Sequence, residues 1–347
     1  MSNSIPHAAQ KWNNVIPYLS EKLDLTPSQI TIEKFEGGFS NLTYQIKTDQ
    51  GDFVMRRPPL GLKISKAHDM VREFRILEGL EKAGYSKIPK PILCCEDESI
   101  IGAPFFIMQK VEGLILRNKI PEGKRLSEEF FNRLSKNSID VLLELHQLEL
   151  SKSGLDQLGK PEGYVERQVI GWSERYFNSQ TEEIPEMNAI SEWLKTNLPT
   201  QQNIGFIHND FKYDNLVLGG PEDPSIRAVL DWEMATVGDP LMDLGTTLAY
   251  WAEEADPEIL KMFNLSYPTG NFTKAEVIAY YASKSNLNLD HILFYYVFGV
   301  FKVGVIAQQI YKRFQMGFAK DPRFSALIHV VRACGKTAWT SIQTHKI

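Results

Sequence analysis

At 347 residues, with 43% hydrophobic and 23% charged side chains, the chain has the composition of an ordinary globular protein, which excludes a largely disordered or fibrous one. Single cores stop growing at about 250 to 300 residues, so this length favours two lobes with separate cores. A formal net charge of −5 gives no overall attraction to nucleic acid or an anionic membrane, and neither partner is expected. Cys94, Cys95 and Cys334 allow neither a disulfide framework nor zinc-ligand spacing.

The first residues, MSNSIPHAAQKW, lack a basic start followed by an apolar run, so the expectation is a cytoplasmic chain with reduced thiols and no secretory signal. From Ala8 to Leu23, Trp12, Val15, Ile16, Leu19 and Leu23 recur at helical spacing until Thr26-Pro27 breaks the pattern. Ile30 to Phe35, Leu42 to Thr48 and Phe53 to Arg57 are strand-like runs separated by Gly37-Gly38 and Asp49-Gln50-Gly51-Asp52, which predicts three antiparallel strands. After Pro58-Pro59, Ala67 to Ala83 carries Met70, Phe74, Leu77 and Leu80 on one helical stripe, and Gly84 caps it. Pro91 to Glu96 and Pro104 to Val111 predict a second strand pair across Asp97 to Gly102.

Beyond Gly113 the spacing turns helical over Glu128 to Gln147, Val165 to Phe177 and Glu186 to Leu198, and a strand-rich island follows from Phe206 to Trp232. Helical spacing resumes after Leu241, including Asp290 to Phe314 and Arg323 to Ile342. Within it, Leu293 to Ala307 carries Lys302 and is shorter than the ~20 apolar residues a membrane span needs, so it reads as a buried core helix. The predicted architecture is α+β. Residues 1–110 form a small lobe of antiparallel sheet with one main helix, residues 111–347 a large helical lobe, and a ligand is expected between them.

The chemistry lies in the island. His208-Asn209-Asp210-Phe211-Lys212-Tyr213-Asp214-Asn215 sits between Gly205 to Ile207 and Leu216 to Leu218, which pins a polar loop between two short strands. A third run, Ala228-Val229-Leu230, ends in Asp231. Phosphoryl transfer needs a carboxylate beside the attacking hydroxyl and hard oxygen ligands for Mg²⁺; Asp210, Asn215 and Asp231 supply that set. Asn209 suits the left-handed backbone that tight catalytic loops demand. Taken alone, the loop is equally a hairpin whose Asp and Asn residues make turns. Asn five residues after His-x-Asp, followed by the strand-terminal Asp231, is the kinase pattern.

Through HNDFKYDN at 208–215 and LDWEMATVGDPLMDLG at 230–245, the sequence resembles the aminoglycoside phosphotransferase and choline kinase superfamily over nearly its whole length. The resemblance implies a protein-kinase-like two-lobe fold and ATP-dependent phosphorylation of a small-molecule hydroxyl. It makes Asp210 the base, Asn215 and Asp231 the Mg²⁺ ligands, and Lys212 a cation facing the transferring phosphate, although a solvated loop lysine is an equal reading. Asp239 and Asp243 match the element that braces the catalytic loop in the family. For Asp243, capping of a helix first turn explains as much.

On the nucleotide side, Gly37-Gly38 can turn backbone N–H groups toward phosphate, with Ser40 and Asn41 as contacts, or serve as a plain hairpin turn. Arg56 stands where kinases carry a phosphate-pairing lysine, and Glu73, on the inward stripe of its helix, requires a cationic mate. Arg56 is the candidate mate; Arg72 or Lys66 are the local alternatives. Phe105 to Val111 resembles the interlobe hinge, with Met108 lining the pocket and the backbone of Gln109 and Val111 binding adenine, though any edge strand reads alike. His146 is expected to be a core histidine.

Tyr164 to Gln168 with Trp172, and Phe298 to Tyr311 with Gln308-Gln309, resemble the kinase domains associated with acyl-CoA dehydrogenases. That implies a hydroxyacyl-CoA acceptor, such as a 4-hydroxyacyl-CoA; dehydrogenase activity is not expected in this length. Arg117, Lys119, Lys124 and Arg125 suit an anionic ester, whereas Glu182-Glu183-Glu186 and Glu253-Glu254 suit a cation. Choline, homoserine and aminoglycosides stay open as acceptors; Trp172, Trp193 and Trp251 could in principle cage an ammonium, but core packing is the expected role of those rings. A catalytically silent nucleotide-binding module is the alternative of another class. Nothing in the sequence speaks to oligomeric state.

Overall fold

The computed structural model describes residues 8–35, 41–59, 69–200 and 203–347. They group into two units: Met1–Glu112 with Leu230–Met234, and Gly113–Val229 with Ala235–Ile347. The sequence expectation put all of residues 111–347 in the large lobe. Instead, the short segment carrying Asp231 packs with the small unit, where Trp232 meets Tyr85 edge-on at 5.9 Å.

The first unit holds one sheet. Strands β1 (Thr31–Lys34), β2 (Leu42–Thr48), β3 (Gly51–Arg57), β4 (Pro91–Cys95) and β5 (Phe105–Gln109) lie in the order β1-β2-β3-β5-β4, each pair antiparallel. The second strand pair is therefore not separate, because β5 inserts beside β3 with Arg56 opposite Phe106 and Val54 opposite Met108. Side chains alternate across a strand. Met55 and Ile107 thus join Val15 and Leu19 of α1 (Ala8–Leu23) in a core on one face, together with Ile46 and Phe105. Each such buried aliphatic side chain stabilises the fold by about 1.5–3 kcal/mol. Arg56 and Phe106 turn to the opposite face, where Phe74 of α2 (Met70–Lys82) lies 6.1 Å from the Phe106 ring. The expected start of α2 at Ala67 falls outside the described residues; the described helix is capped by Asp69, whose carboxylate accepts the Arg72 N–H. A one-turn helix, α3 (Glu98–Ile101), connects β4 to β5.

The second unit is helical: α4 (Glu128–His146), α5 (Tyr164–Ser179), α6 (Pro185–Thr196), α7 (Pro240–Tyr250), α8 (Glu258–Lys261), α9 (Lys274–Lys284), α10 (Ile292–Gln315) and α11 (Leu327–Thr344). Two small antiparallel ladders interrupt it, β6 (Gly205–Ile207) with β9 (Thr236–Gly238) and β7 (Leu216–Leu218) with β8 (Ile226–Val229). They pin residues 208–215 at both ends. Helix α10 is the central core helix and packs against α5, α7 and α11. It crosses α7 through glycines. A Cβ on Gly245 would lie 2.2 Å from the Tyr295 carbonyl oxygen, and one on Gly299 would lie 2.3 Å from the Gly245 carbonyl oxygen. That backbone contact fixes the height of α7, and with it Asp243.

Candidate active site

In the second unit the loop 208–215 is held from beneath by a single buried carboxylate. Asp243, in the first turn of α7, accepts the His208 N–H on Oδ2 and the Asn209 N–H on Oδ1, both at 2.7 Å. Its Oδ2 also lies 3.1 Å from Nε2 of His146, whose Nδ1 is 2.8 Å from the Tyr281 hydroxyl. A carboxylate only accepts, so Nε2 carries a proton toward Asp243. Burial alone would raise the Asp243 carboxyl; the bonds from His146 and the loop amide outweigh it and hold the group below its ordinary range. Asp243 is thus a brace rather than a capping residue. Asp239 is the reverse. It caps α7 by accepting the Leu241 N–H at 2.9 Å, and it also accepts the Asn203 N–H at 3.3 Å and the Tyr295 hydroxyl at 3.2 Å; among the described residues none of these contacts is to the loop 208–215.

Two amide bonds into one carboxylate force the loop to turn at Asn209, which takes φ +68°, the left-handed conformation expected there. The turn presents Asp210. Lys212 Nζ lies 3.0 and 3.2 Å from the two Asp210 carboxylate oxygens. Asn215 Nδ2 donates to the Asp210 carbonyl at 2.8 Å and to its carboxylate at 3.0 Å. Tyr250, kept protonated because burial raises its phenol, hydrogen-bonds the same carboxylate. Burial would raise Asp210, yet the Lys212 ammonium, with smaller contributions from His208 and Lys302, holds it below its ordinary value. The group is therefore ionised at neutral pH and can accept a proton. Lys212 is no solvated loop lysine: its side chain is 19% exposed and its ammonium sits 4.8 Å above the Tyr250 ring. His208 is fully buried, and its Nδ1 accepts the Asp210 N–H at 3.2 Å.

The first unit gathers charge around Arg56. Its Nη1 meets Glu73 at 2.5 Å, and its Nη2 meets Asp231 at 3.0 Å and Glu233 at 3.7 Å. Glu73 is 2% exposed, as its place on the inward stripe of α2 predicts. Burial pushes its carboxyl up, to about 7, against the opposing pull of Arg56. Asn41 donates to Glu233 at 2.8 Å, and Arg72 donates to the Glu233 carbonyl at 3.3 Å. Asp231 sits at φ +66°, the left-handed region that Asp and Asn tolerate better than other side chains. Among the described residues, Arg56 Nε is buried without a hydrogen-bond partner. Ser40 and Gly37-Gly38 lie outside the described residues. Met108 is buried on β5 opposite Val54. The Gln109 N–H already donates to the Lys90 carbonyl at 2.9 Å, so it is not the donor that adenine needs, which leaves the expectation on Val111 and the Gln109 carbonyl.

Three residues went unread in the sequence. Glu233, inside LDWEMATVGDPLMDLG, anchors both Asn41 and Arg56. Tyr250, the last residue of α7, reaches Asp210. Lys302 donates to the Asn209 carbonyl at 2.7 Å. A cation inside an apolar helix demands a buried partner, and that was the available signal for Lys302. The proposed tryptophan cage does not form. Arg175 and Lys302 lie over the Trp172 ring at 4.7 and 5.7 Å, Trp193 packs on Phe294 at 6.1 Å, and Trp251 is buried against Tyr213 at 5.2 Å.

The phosphotransferase enzyme family model matches residues 31–277, a span that includes both halves of this machinery. The chain belongs to that family. As a phosphotransferase it is 34% identical over 310 residues to acyl-CoA dehydrogenase family member 10 of Mus musculus, covering 88% of this chain and 28% of that relative's length. Its fold is protein-kinase-like. The crystal structure of a candidate aminoglycoside phosphotransferase from Ralstonia eutropha superposes with a TM-score of 0.81 at 27% identity, covering 96% of this chain and 98% of that one. The GDP complex of aminoglycoside 2'-phosphotransferase-IIIa gives 0.64 at 16% identity over 95% and 99%.

Proposed function

We propose that this phosphotransferase moves the γ-phosphoryl group of ATP to the hydroxyl of a small molecule, with Asp210 as the base. The observation that carries this reading is the Asp210 carboxylate, turned out by a loop whose backbone is bonded to Asp243 and flanked by Lys212 and Asn215. The substrate hydroxyl would give its proton to Asp210 as its oxygen attacks phosphorus, and Lys212 would offset the charge of the transferring group. Nucleotide use is supported by the GDP complex of the structural neighbour and by the buried Arg56–Glu73 pair. The donor chemistry fits magnesium. Asn215 spends its amide nitrogen on Asp210, which leaves the carbonyl oxygen as a hard donor, and Asp231 adds a carboxylate. By the family's pattern Asn215 and Asp231 would each offer a ligand to Mg²⁺, which would supply charge neutralisation for phosphoryl transfer. Arg56 would remain charged at any working pH, so its two-pronged hold on Glu73 and Asp231 survives where a lysine would offer one point charge.

For the acceptor we favour a hydroxyacyl-CoA. The base is ringed by cations, Lys212 and Lys302, and Trp172, Trp193 and Trp251 are taken up by the protein's own side chains; both observations disfavour choline or an aminoglycoside. The likeness to an acyl-CoA dehydrogenase family member points the same way. The test is ADP release from MgATP with 4-hydroxyacyl-CoAs, choline, homoserine and aminoglycosides in parallel. Turnover with the thioesters alone is expected. Turnover with choline would refute the acceptor assignment, and a MgATP-induced thermal shift without turnover on any acceptor would favour a binding module.

A further inference from the structure

Helix α10 carries one charge through the middle of the second unit's core. Lys302 is 2% exposed and surrounded by Tyr296 to Val305, nearly all apolar. Its ammonium donates to the Asn209 main-chain carbonyl at 2.7 Å and lies 5.7 Å over the Trp172 ring. Asn209 is the residue whose N–H is taken by Asp243 at 2.7 Å and whose left-handed φ turns the chain into Asp210. The peptide units that flank Asn209 are therefore held from both ends, by an anion at the N–H and a cation at the C=O. Rotation about this residue would re-aim the next side chain.

We propose that Lys302 is a positioning residue for phosphoryl transfer: by clamping the Asn209 carbonyl it fixes the direction in which Asp210 presents its carboxylate. The proposal rests on Asp210 being the base. A second consequence is electrostatic, since the ammonium sits close enough to help keep Asp210 ionised. The groups that face Lys302 are Asp210 and Lys212 of the loop, Asp243 of α7, and Trp172 and Arg175 of α5. Burial pushes the ammonium down to about 8, with Asp210 and Asp243 opposing that fall. The charge is thus harder to keep in the fold than in water. Holding a charge in the core is unfavourable by itself, and the bond to the Asn209 carbonyl with the nearby Asp210 and Asp243 offsets it; an apolar chain of the same length would leave that carbonyl without this donor.

The experiment compares wild type, Lys302→Met and Asp210→Asn. Three quantities are read: ADP release from MgATP with a 4-hydroxyacyl-CoA, or with water alone if that thioester is not turned over; the thermal midpoint; and amide hydrogen exchange of the peptide spanning 205–215. For Lys302→Met we expect roughly tenfold or greater loss of kcat with KM for ATP within about twofold, since the loss lies in the transition state and not in nucleotide binding. Exchange in 205–215 should quicken, and kcat per folded molecule should fall, at temperatures well below the thermal midpoint, whatever the midpoint itself does. A merely structural lysine would lower the midpoint and slow turnover only through lost folded protein. Unchanged kcat and unchanged exchange in Lys302→Met overturn the proposal. Full activity in Asp210→Asn overturns the base assignment on which it rests, and the exchange data then decide separately whether the clamp exists.

Discussion

Replacing Asp243 with asparagine removes one charge and exchanges one acceptor for a donor, with almost no change of shape. Asp243 serves three donors: the His208 and Asn209 N–H groups on different oxygens, and the His146 ring on the same oxygen as His208. An amide keeps one oxygen, so one loop N–H must then face an NH₂ group in a site with no exposure. The lost charge-assisted bond costs about 1.5–3 kcal/mol and the orphaned buried N–H about 1–3 kcal/mol, together roughly 3–5 kcal/mol. For a unit of this size that is a fall of roughly 10 °C in the thermal midpoint, read by scanning fluorimetry at pH 7. The sign with pH follows from the depressed carboxyl. A group whose folded pKa lies below its unfolded value of about 3.9 contributes its stability above that value, and loses it as pH falls through the lower, folded one. The gap between wild type and Asp243→Asn should therefore be full at pH 6–8 and close under acid. A midpoint within about 2 °C of wild type at pH 7, or a gap that widens as pH falls, would refute the brace.

Arg56→Met leaves Glu73, Asp231 and Glu233 without their shared cation and should destabilise the first unit by about 3–5 kcal/mol in urea; adding Glu73→Leu should recover a large part of that, because the buried carboxylate is what cannot stay unpaired. Gly299→Ala drives a methyl into the Gly245 carbonyl and should cost about 1–3 kcal/mol or more by the same titration, whereas Gly220→Ala, which meets nothing within 4 Å, should be neutral. Asn215→Leu keeps the volume and removes the hard oxygen, so the Mg²⁺ concentration needed for half-maximal ADP release should rise by roughly tenfold or more. An unaltered Mg²⁺ requirement would remove Asn215 from the cation site.

Elements with strong periodicity were legible in the sequence: α4, α10 and the strands of the first unit fall where apolar spacing puts them. The Arg56–Glu73 pair was legible for a physical reason, since a carboxylate on an inward stripe has to find a cation. The joining of β5 to β3 was not, because local alternation fixes which side chains share a face but leaves open which strand lies next. The same limit hid the grouping of Leu230–Met234 with the first unit. Asp239 and Asp243 were interchangeable on the page, both acids near one helix start, and only the depth of α7 set by its glycine contact with α10 decides which reaches the loop. Lys302 interrupts the apolar run that a membrane span needs, and its burial also requires a partner, but only the fold shows that partner to be the Asn209 carbonyl.

The account turns on Asp210, and mass spectrometry of a 4-hydroxyacyl-CoA incubated with MgATP reads it most directly. Wild type should add one phosphoryl group to the thioester at its hydroxyl, and Asp210→Asn should do so about a hundredfold to ten-thousandfold more slowly while MgATP still shifts its thermal midpoint. Phosphorylation by Asp210→Asn at the wild-type rate would contradict it.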